Sequence, residues 1–430
     1  MHYINYNHAE KYSNYEVLWI ELLTVKKVKM AKKNEENFLS SGIFTFDSPE
    51  CTCEKSMVTV NISEGPIPAI KLSLKDSRKI HFAFGSKVGL VRVKDDGSVE
   101  ENNLLGKLVG IKQGDIQGYI QFFQNNGFII PLSPSQIENY SFVVIQSIVD
   151  RLRATLELMS TITDMTRTSY EKIVRLIFYH LFAPVVSLSS SDEKYHYVSC
   201  KHQYGAFLDA NKNAPREERL KDTFNNVEFH FNDSFGTFSL NADFVDSALS
   251  GGETEEKYQT QLFKNVFTVY CSSRTDKPEM MVFVNDFIFH YLYEVGMINY
   301  VDVDRTYYVN DEVHKELFTE ELKAAAIKVA KFIVKEEIEY NLNNVRPIYD
   351  ISKLEPAWKI DSLLSALYFG LFYMRPNTET YRRCANPKCG EFFSVPISSR
   401  KKKYCCRACM NRAMIARKRA RDKINATRNQ

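Results

Sequence analysis

The sequence predicts an α+β protein: a β-rich N-terminal region, a mainly helical second half, a small four-cysteine module and a basic helix. Three observations carry that expectation. Short β-type runs separated by turn residues fill the chain to about residue 132. Apolar residues then recur at three- and four-residue spacing, the period of a helix with one face in a core. Finally, five of the nine cysteines crowd into the last fifty residues.

Residues 1–37 join no periodic pattern and read as an N-terminal extension; Met30, ahead of the polar run 31–37, is an alternative start of translation. Residues 38–132 form the β-rich region, with strands expected at 57–62, 70–74, 80–84, 88–93 and 127–132 and a turn at Asp95-Asp96-Gly97-Ser98. After Ser133-Pro134 the period changes. Val143, Val144, Ile148, Leu152 and Leu156 line one helix, and a second over 170–181 stops before Pro184. Alternation returns over 195–244, as in Val227-Glu228-Phe229-His230-Phe231, and predicts a hairpin. A long helix over 319–340 places Leu322, Ala325, Val329 and Phe332 on one face. Another, over 361–373 with Asp361 as N-cap, is apolar nearly all round and belongs in the core. This gives a mixed, mainly helical domain at 133–380, a finger at 381–410 and a basic helical tail at 411–430.

Composition excludes several classes. With 430 residues, 44% hydrophobic, 13% aromatic and 25% charged, the chain reads as an ordinary globular protein. No apolar run reaches the eighteen residues of a membrane span; the longest, 363–374, follows Asp361 and suits a buried helix. The tyrosine- and asparagine-rich start, with Glu16 and Glu21, does not form a secretory signal, so the expected location is the cytoplasm. The net charge of +3 conceals an asymmetry: residues 381–430 hold 15 Lys and Arg against Glu391 and Asp422, leaving the body ten charges negative. A basic segment on an acidic body points to a polyanionic partner.

The cysteines carry the clearest chemistry. In a large chain without an export signal, such clustering indicates metal rather than disulfides. Cys384-Ala-Asn-Pro-Lys-Cys389-Gly390 is a metal-binding turn, with Pro387 stiffening the loop and Gly390 free to take a positive φ. Cys405 or Cys406 supplies the third sulfur and Cys409 the fourth, where a helix begins. No histidine follows His314, so the expected cofactor is one structural Zn2+ on four thiolates, a closed site. Cys51, Cys53, Cys200 and Cys271 are scattered and read as structural thiols.

In this segment the sequence resembles the CGNR-type zinc finger proteins, a bacterial family of transcriptional regulators. The likeness rests on Arg382-Arg383-Cys384-Ala385, Cys389, Phe392-Phe393, Lys402-Lys403-Tyr404-Cys405 and Cys409-Met410-Asn411-Arg412-Ala413, followed by Arg417 and Arg421. It extends over about ninety residues, since the stretch at 341–373 is similar to the helical region that precedes the finger in that family. Met410 replaces the family's glycine, and the second cysteine pair is one residue closer. The resemblance implies Cys384, Cys389, Cys405 and Cys409 as the ligands and DNA, rather than RNA, as the partner.

Phosphate contacts are expected from Arg400, Lys401, Lys402 and Lys403 in the loop before Cys405. Asn411, Arg412, Arg417, Lys418, Arg419 and Arg421 are expected to supply more from the helix after Cys409. Elsewhere no phosphate loop, dinucleotide fingerprint, zinc-protease motif or nucleophile elbow occurs. His196 and His202 flank Cys200 without a third partner and read as structural or surface residues; His180 and His290, in apolar runs, read as satisfied core residues. Gly251-Gly252 reads as a turn. The sequence assembles no active site, and it leaves the oligomeric state and any ligand of the body open.

Overall fold

Alternation of inward apolar and outward polar residues builds the strands. In the computed structural model, β1 (Phe44–Thr59) buries Phe44, Phe46 and Ser48, then slips by one residue and buries Cys51 and Cys53. A bulge between Pro49 and Cys51 absorbs that slip, so one face points at the core throughout. β2 (Pro66–Gly85) merges the runs expected at 70–74 and 80–84 into one 20-residue strand. It pairs antiparallel with β1 along one edge. Its other edge takes β3 (Gly89–Val93) at one end and β4 (Glu138–Ser141) at the other. The turn at 95–98 forms with Gly97 at φ +79 and Ser98 N–H donating to Asp96 Oδ1; Asp95 lies outside the described residues.

The structure describes residues 43–59, 65–85, 89–94, 96–100, 103–134, 136–163, 169–213, 230–239, 256–272, 277–309, 313–351, 354–374, 379–396, 399 and 401–428. The extension at 1–37 and Gly251-Gly252 lie outside them.

The β-rich region is less purely β than expected. α1 (Leu104–Val109) and α2 (Ile116–Asn126) interrupt it, each started by a side chain that accepts a backbone N–H: Asn103 from Leu105, Asp115 from Gly118. Residues 127–132 are no strand. Phe128, Ile129, Ile130 and Leu132 are buried, but the segment joins no ladder; its Ile129 carbonyl accepts the Leu364 N–H instead. An apolar run bounded by turns looks like a strand whether or not an edge is free to pair with it.

Beyond β4 the chain forms α3 (Phe142–Thr163), α4 (Tyr170–Phe182), β5 (Ser187–Ser189), β6 (His196–Val198) and α5 (Gln203–Asn213). Next come β7 (His230–Asp233), β8 (Gly236–Ser239), α6 (Gln261–Ser272), α7 (Glu279–His290), β9 (Ile298–Val301) and β10 (Thr306–Tyr308). The predicted hairpin is thus β7–β8, whereas α5 occupies part of the stretch expected to alternate; 214–229 are outside the described residues. A helical count of buried positions returns in α8 (Glu320–Asn341), capped by Thr319, which buries Leu322, Ala325, Ala326, Val329, Ala330 and Ile333. The hairpin of β11 (Arg346–Asp350) and β12 (Glu355–Lys359) leads to α9 (Leu363–Phe372). Ser362, not Asp361, caps α9: its Oγ accepts the Ser365 N–H at 3.0 Å. β13 (Glu379–Arg383), β14 (Phe392–Pro396) and α10 (Arg407–Arg428) complete the chain.

One continuous apolar cluster joins the sheet and the helices, from Phe44 to Phe392. α3, α4, α8 and α9 are its helical centre, and all four contribute fully buried residues such as Leu152, Ile177, Ile333 and Leu367. The fold is therefore α+β, as the sequence predicts. No helix among the described residues is long and apolar enough to cross a membrane.

Candidate metal centre and the helix it anchors

The antiparallel pair β13–β14 aligns Arg383 with Phe392, and the eight-residue loop between them carries the first two cysteines. The Cys384 N–H donates to the Glu391 carbonyl at 2.8 Å, which closes the loop. Inside it, the Cys389 N–H donates to the Asn386 carbonyl at 2.9 Å, and the buried Asn386 side chain accepts the Lys388 N–H. Gly390 turns the chain out of the loop at φ +70. The third and fourth cysteines come from the next loop and from the first turn of α10. A bond from the Ala385 N–H to the Lys403 carbonyl at 2.8 Å clips the two loops together. α10 begins at Arg407, not at 411, so Cys409 lies inside the helix and its N-terminal dipole faces the sulfurs.

The sulfurs of Cys384, Cys389, Cys405 and Cys409 all lie within 4.8 Å of one another, with Cys389 and Cys405 at 3.6 Å. A tetrahedron with metal–sulfur bonds of about 2.3 Å requires sulfur–sulfur separations of about 3.8 Å, so the set fits one ion. Cys406 is exposed and its sulfur, 3.9 Å from that of Cys405, stays outside the group. Cys384, Phe393, Val395 and Cys409 form a small core of their own, with Tyr404 against it. Burial pushes the Cys389 thiol up to about 12, and burial with crowding by the other sulfurs pushes Cys405 up as well. In Cys384, burial is outweighed by backbone N–H groups of Cys405 and Asn386, and that thiol falls. Four sulfurs so close cannot all be anions unaided; a divalent cation reverses the balance and makes thiolates the stable form.

The body holds this hairpin through backbone contact. A Cβ added to Gly106 in α1 would stand 1.9 Å from the Phe392 carbonyl oxygen, and one added to Gly110 would stand 2.7 Å from the Glu391 Cα. Only glycine lets α1 approach that closely. Asn103 Nδ2 donates to the Tyr381 hydroxyl, and the Tyr381 N–H donates to Ser160 Oγ at 3.3 Å. The buried Arg153 of α3 in turn donates to the Val109 and Ile111 carbonyls at the end of α1. Phe392 points into the main core and Phe393 into the sulfur core. In the sequence the only sign of this docking is a pair of glycines four apart in a short apolar run.

Lys401, Lys402, Lys403, Asn411, Arg412, Lys418, Arg419 and Arg421 are exposed, whereas Arg400 lies outside the described residues. Arg417 is exposed but held: it donates from Nη2 to the Tyr404 hydroxyl at 2.5 Å and from Nε to the Ala413 carbonyl. With about 100° per residue, Arg417 and Arg421 fall on one flank of α10, and Arg412 and Arg419 on the other. The buried Cys409 and Ala413 mark the face between them. Met410, Met414 and Ile415 are exposed as well.

The histidines depart from expectation in the body. His290 is satisfied, between Asp233 Oδ2 at 3.0 Å and Glu294 Oε1 at 2.6 Å. His196 pairs with Ser189 at the surface, away from Cys200. His202 and His180, by contrast, meet at the wholly buried Glu337, and neither ring nitrogen of His180 has a hydrogen-bond partner. The sequence could not show this, because the residues come from three separate segments. Cys51 and Cys53 lie side by side in β1 with sulfurs 3.5 Å apart, and Cys51 donates to the Phe123 carbonyl; they act as packing thiols.

Compared with known protein families, with curated proteins and with solved structures, the chain matches none. The centre consists of four sulfurs positioned for one metal ion, with no fifth protein donor among the described residues.

Proposed function

We propose that the chain is a cytoplasmic nucleic-acid-binding protein, a bacterial transcriptional regulator of the kind its resemblance to the CGNR-type zinc finger proteins implies. One structural Zn2+ on Cys384, Cys389, Cys405 and Cys409 braces α10 for contact with DNA phosphates. The observation that carries this reading is the position of the helix. α10 starts inside the sulfur cluster and presents Arg412, Lys418, Arg419 and Arg421 to solvent, beside Lys401, Lys402 and Lys403. A rigid N-terminal anchor reduces the entropy cost of ordering these long side chains on a polyanion. Phosphate contacts give register without sequence information, so specificity would come from Asn411 or Arg412 at a base edge.

Binding of the full chain to random duplex DNA, followed by anisotropy over a range of salt, tests the reading. Neutralising phosphates predicts a steep linear fall of log K with log salt, and Lys418→Ala should lower the slope by about 0.9. A flat response, or no binding at low salt, overturns it.

A second reading has its own support. Met410, Met414 and Ile415 are exposed on α10 among the basic residues, which suits docking of an acidic protein with an apolar patch. That reading predicts binding that survives high salt and weakens in Met414→Ser.

A further inference from the structure

The Glu337 cluster lies far from the cysteines in the sequence and has a different chemistry. Its Oε1 takes the Arg151 Nε at 2.7 Å and Nη2 at 2.5 Å, faces the His202 Nε2 at 2.9 Å, and stands 3.4 Å from His180 Nδ1. The Tyr368 hydroxyl approaches the other oxygen at 3.4 Å. The side chains of Glu337, His180 and His202 are all 0% exposed.

Three observations bear on what the cluster holds. The first is His202. If its single proton goes to Glu336 Oε2, 2.7 Å from Nδ1, then Nε2 turns a lone pair toward Glu337. Acceptor then faces acceptor at 2.9 Å unless a positive charge stands between them. A carboxylate behind the far nitrogen of a histidine is also the usual support for a metal-bound imidazole. The second is His180. Both its nitrogens are buried without a hydrogen-bond partner, which costs about 1–3 kcal/mol for each unsatisfied group. A second proton on His202 would settle the first conflict but does nothing for His180. The third is spacing. One donor atom from each of His180, His202 and Glu337 falls within 4.8 Å of the others, and the contacts of 2.9 and 3.4 Å to Glu337 are typical of neighbouring ligands on one ion. Metal–nitrogen and metal–oxygen bonds of about 2.1 Å place adjacent donors about 3.0–3.4 Å apart.

We propose that His180, His202 and Glu337 form a second metal site, for a divalent first-row cation such as zinc. Imidazole and carboxylate donors suit that class of ion. Glu336 orients His202, and Arg151 and Tyr368 orient the Glu337 carboxylate. His180, His202 and Arg151 also line a cavity of about 660 Å³, together with Asp150, Gln146 and Cys200. Three protein donors leave a fourth coordination position, and with side chains 0% exposed the site lies behind the cavity wall, not open to it.

Cobalt titration of the metal-stripped full chain tests this. Wild type should take up two Co2+ per chain, one with intense sulfur-to-metal charge transfer and one with only weak visible bands. Cys409→Ser should keep the second and lose the first. His180→Gln and His202→Gln should keep the first and lose the second, with circular dichroism confirming that they fold. A single equivalent in wild type, with Zn2+ as well as Co2+, overturns the proposal without touching the sulfur site. So does a second equivalent that persists in both histidine variants. The wild-type stoichiometry decides the matter even if a variant fails to fold.

Discussion

The C-terminal sulfur centre draws its four donors from 26 consecutive residues, and its own hydrophobic core is only a few side chains. The Glu337 cluster is as small, but Arg151 and His202 reach Glu337 from 186 and 135 residues away. It lies wholly buried among α3, α4 and α8, the largest packed part of the molecule. A local cluster with little core needs a cross-link, and four thiolates around a cation would provide one. A long-range cluster inherits its rigidity from the core around it. It can therefore hold a charge, two imidazoles and a cavity wall at once. The first kind of site organises the chain near it, whereas the second is organised by the chain.

The largest test of that contrast is Cys409→Ser. Structural zinc is worth roughly 10–16 kcal/mol in isolated finger peptides, so the variant should lose the metal of the sulfur centre and leave residues 384–409 open to protease. Unfolding of the body should change little. Cys406→Ser should retain both metal and protection, and if it behaves like Cys409→Ser the ligand set is wrong.

Glu337→Ala should have the converse effect. Burial by itself would raise this carboxyl, but the adjacent Arg151 guanidinium holds it well below the usual carboxylate range. Removing it strands a buried guanidinium, at a cost of about 3–5 kcal/mol in urea unfolding. Adding Arg151→Met should recover much of that loss, while the sulfur centre keeps its metal throughout. Failure of the second substitution to recover anything would mean that the pair is not the unit that matters.

The smallest effect is expected where the two regions touch. Gly106→Ala puts a methyl group into the Phe392 carbonyl, and relief of that clash should cost about 1–3 kcal/mol. Metal content should be unchanged, because all four sulfurs come from the two loops and the start of α10 and none from α1. Metal loss in this variant would show that docking and metal binding are one event.

Much of the fold was legible because its signals are short-range. The period of α3, α4 and α8 and the spacing of the four cysteines lie within single windows of sequence. Where the reading failed, a local pattern had two physical outcomes. The apolar run 127–132 is buried without pairing, and its Ile129 carbonyl accepts the Leu364 N–H instead. Asp361 and Ser362 were both able to cap α9, and only the backbone direction chose Ser362. His180 looked like a satisfied core residue because its neighbours are apolar, and nothing near it in sequence reveals two nitrogens without partners.

By itself the sequence determined the α+β class, the charge asymmetry and three of the four sulfurs, because each depends on residue type and on spacing along the chain. Tertiary structure decided three further things: that Gly106 and Gly110 seat the sulfur hairpin on α1, that Cys405 and not Cys406 turns inward, and that His180 and His202 meet at Glu337. These depend on which surfaces of the chain come into contact, and distance along a sequence carries almost no information about that.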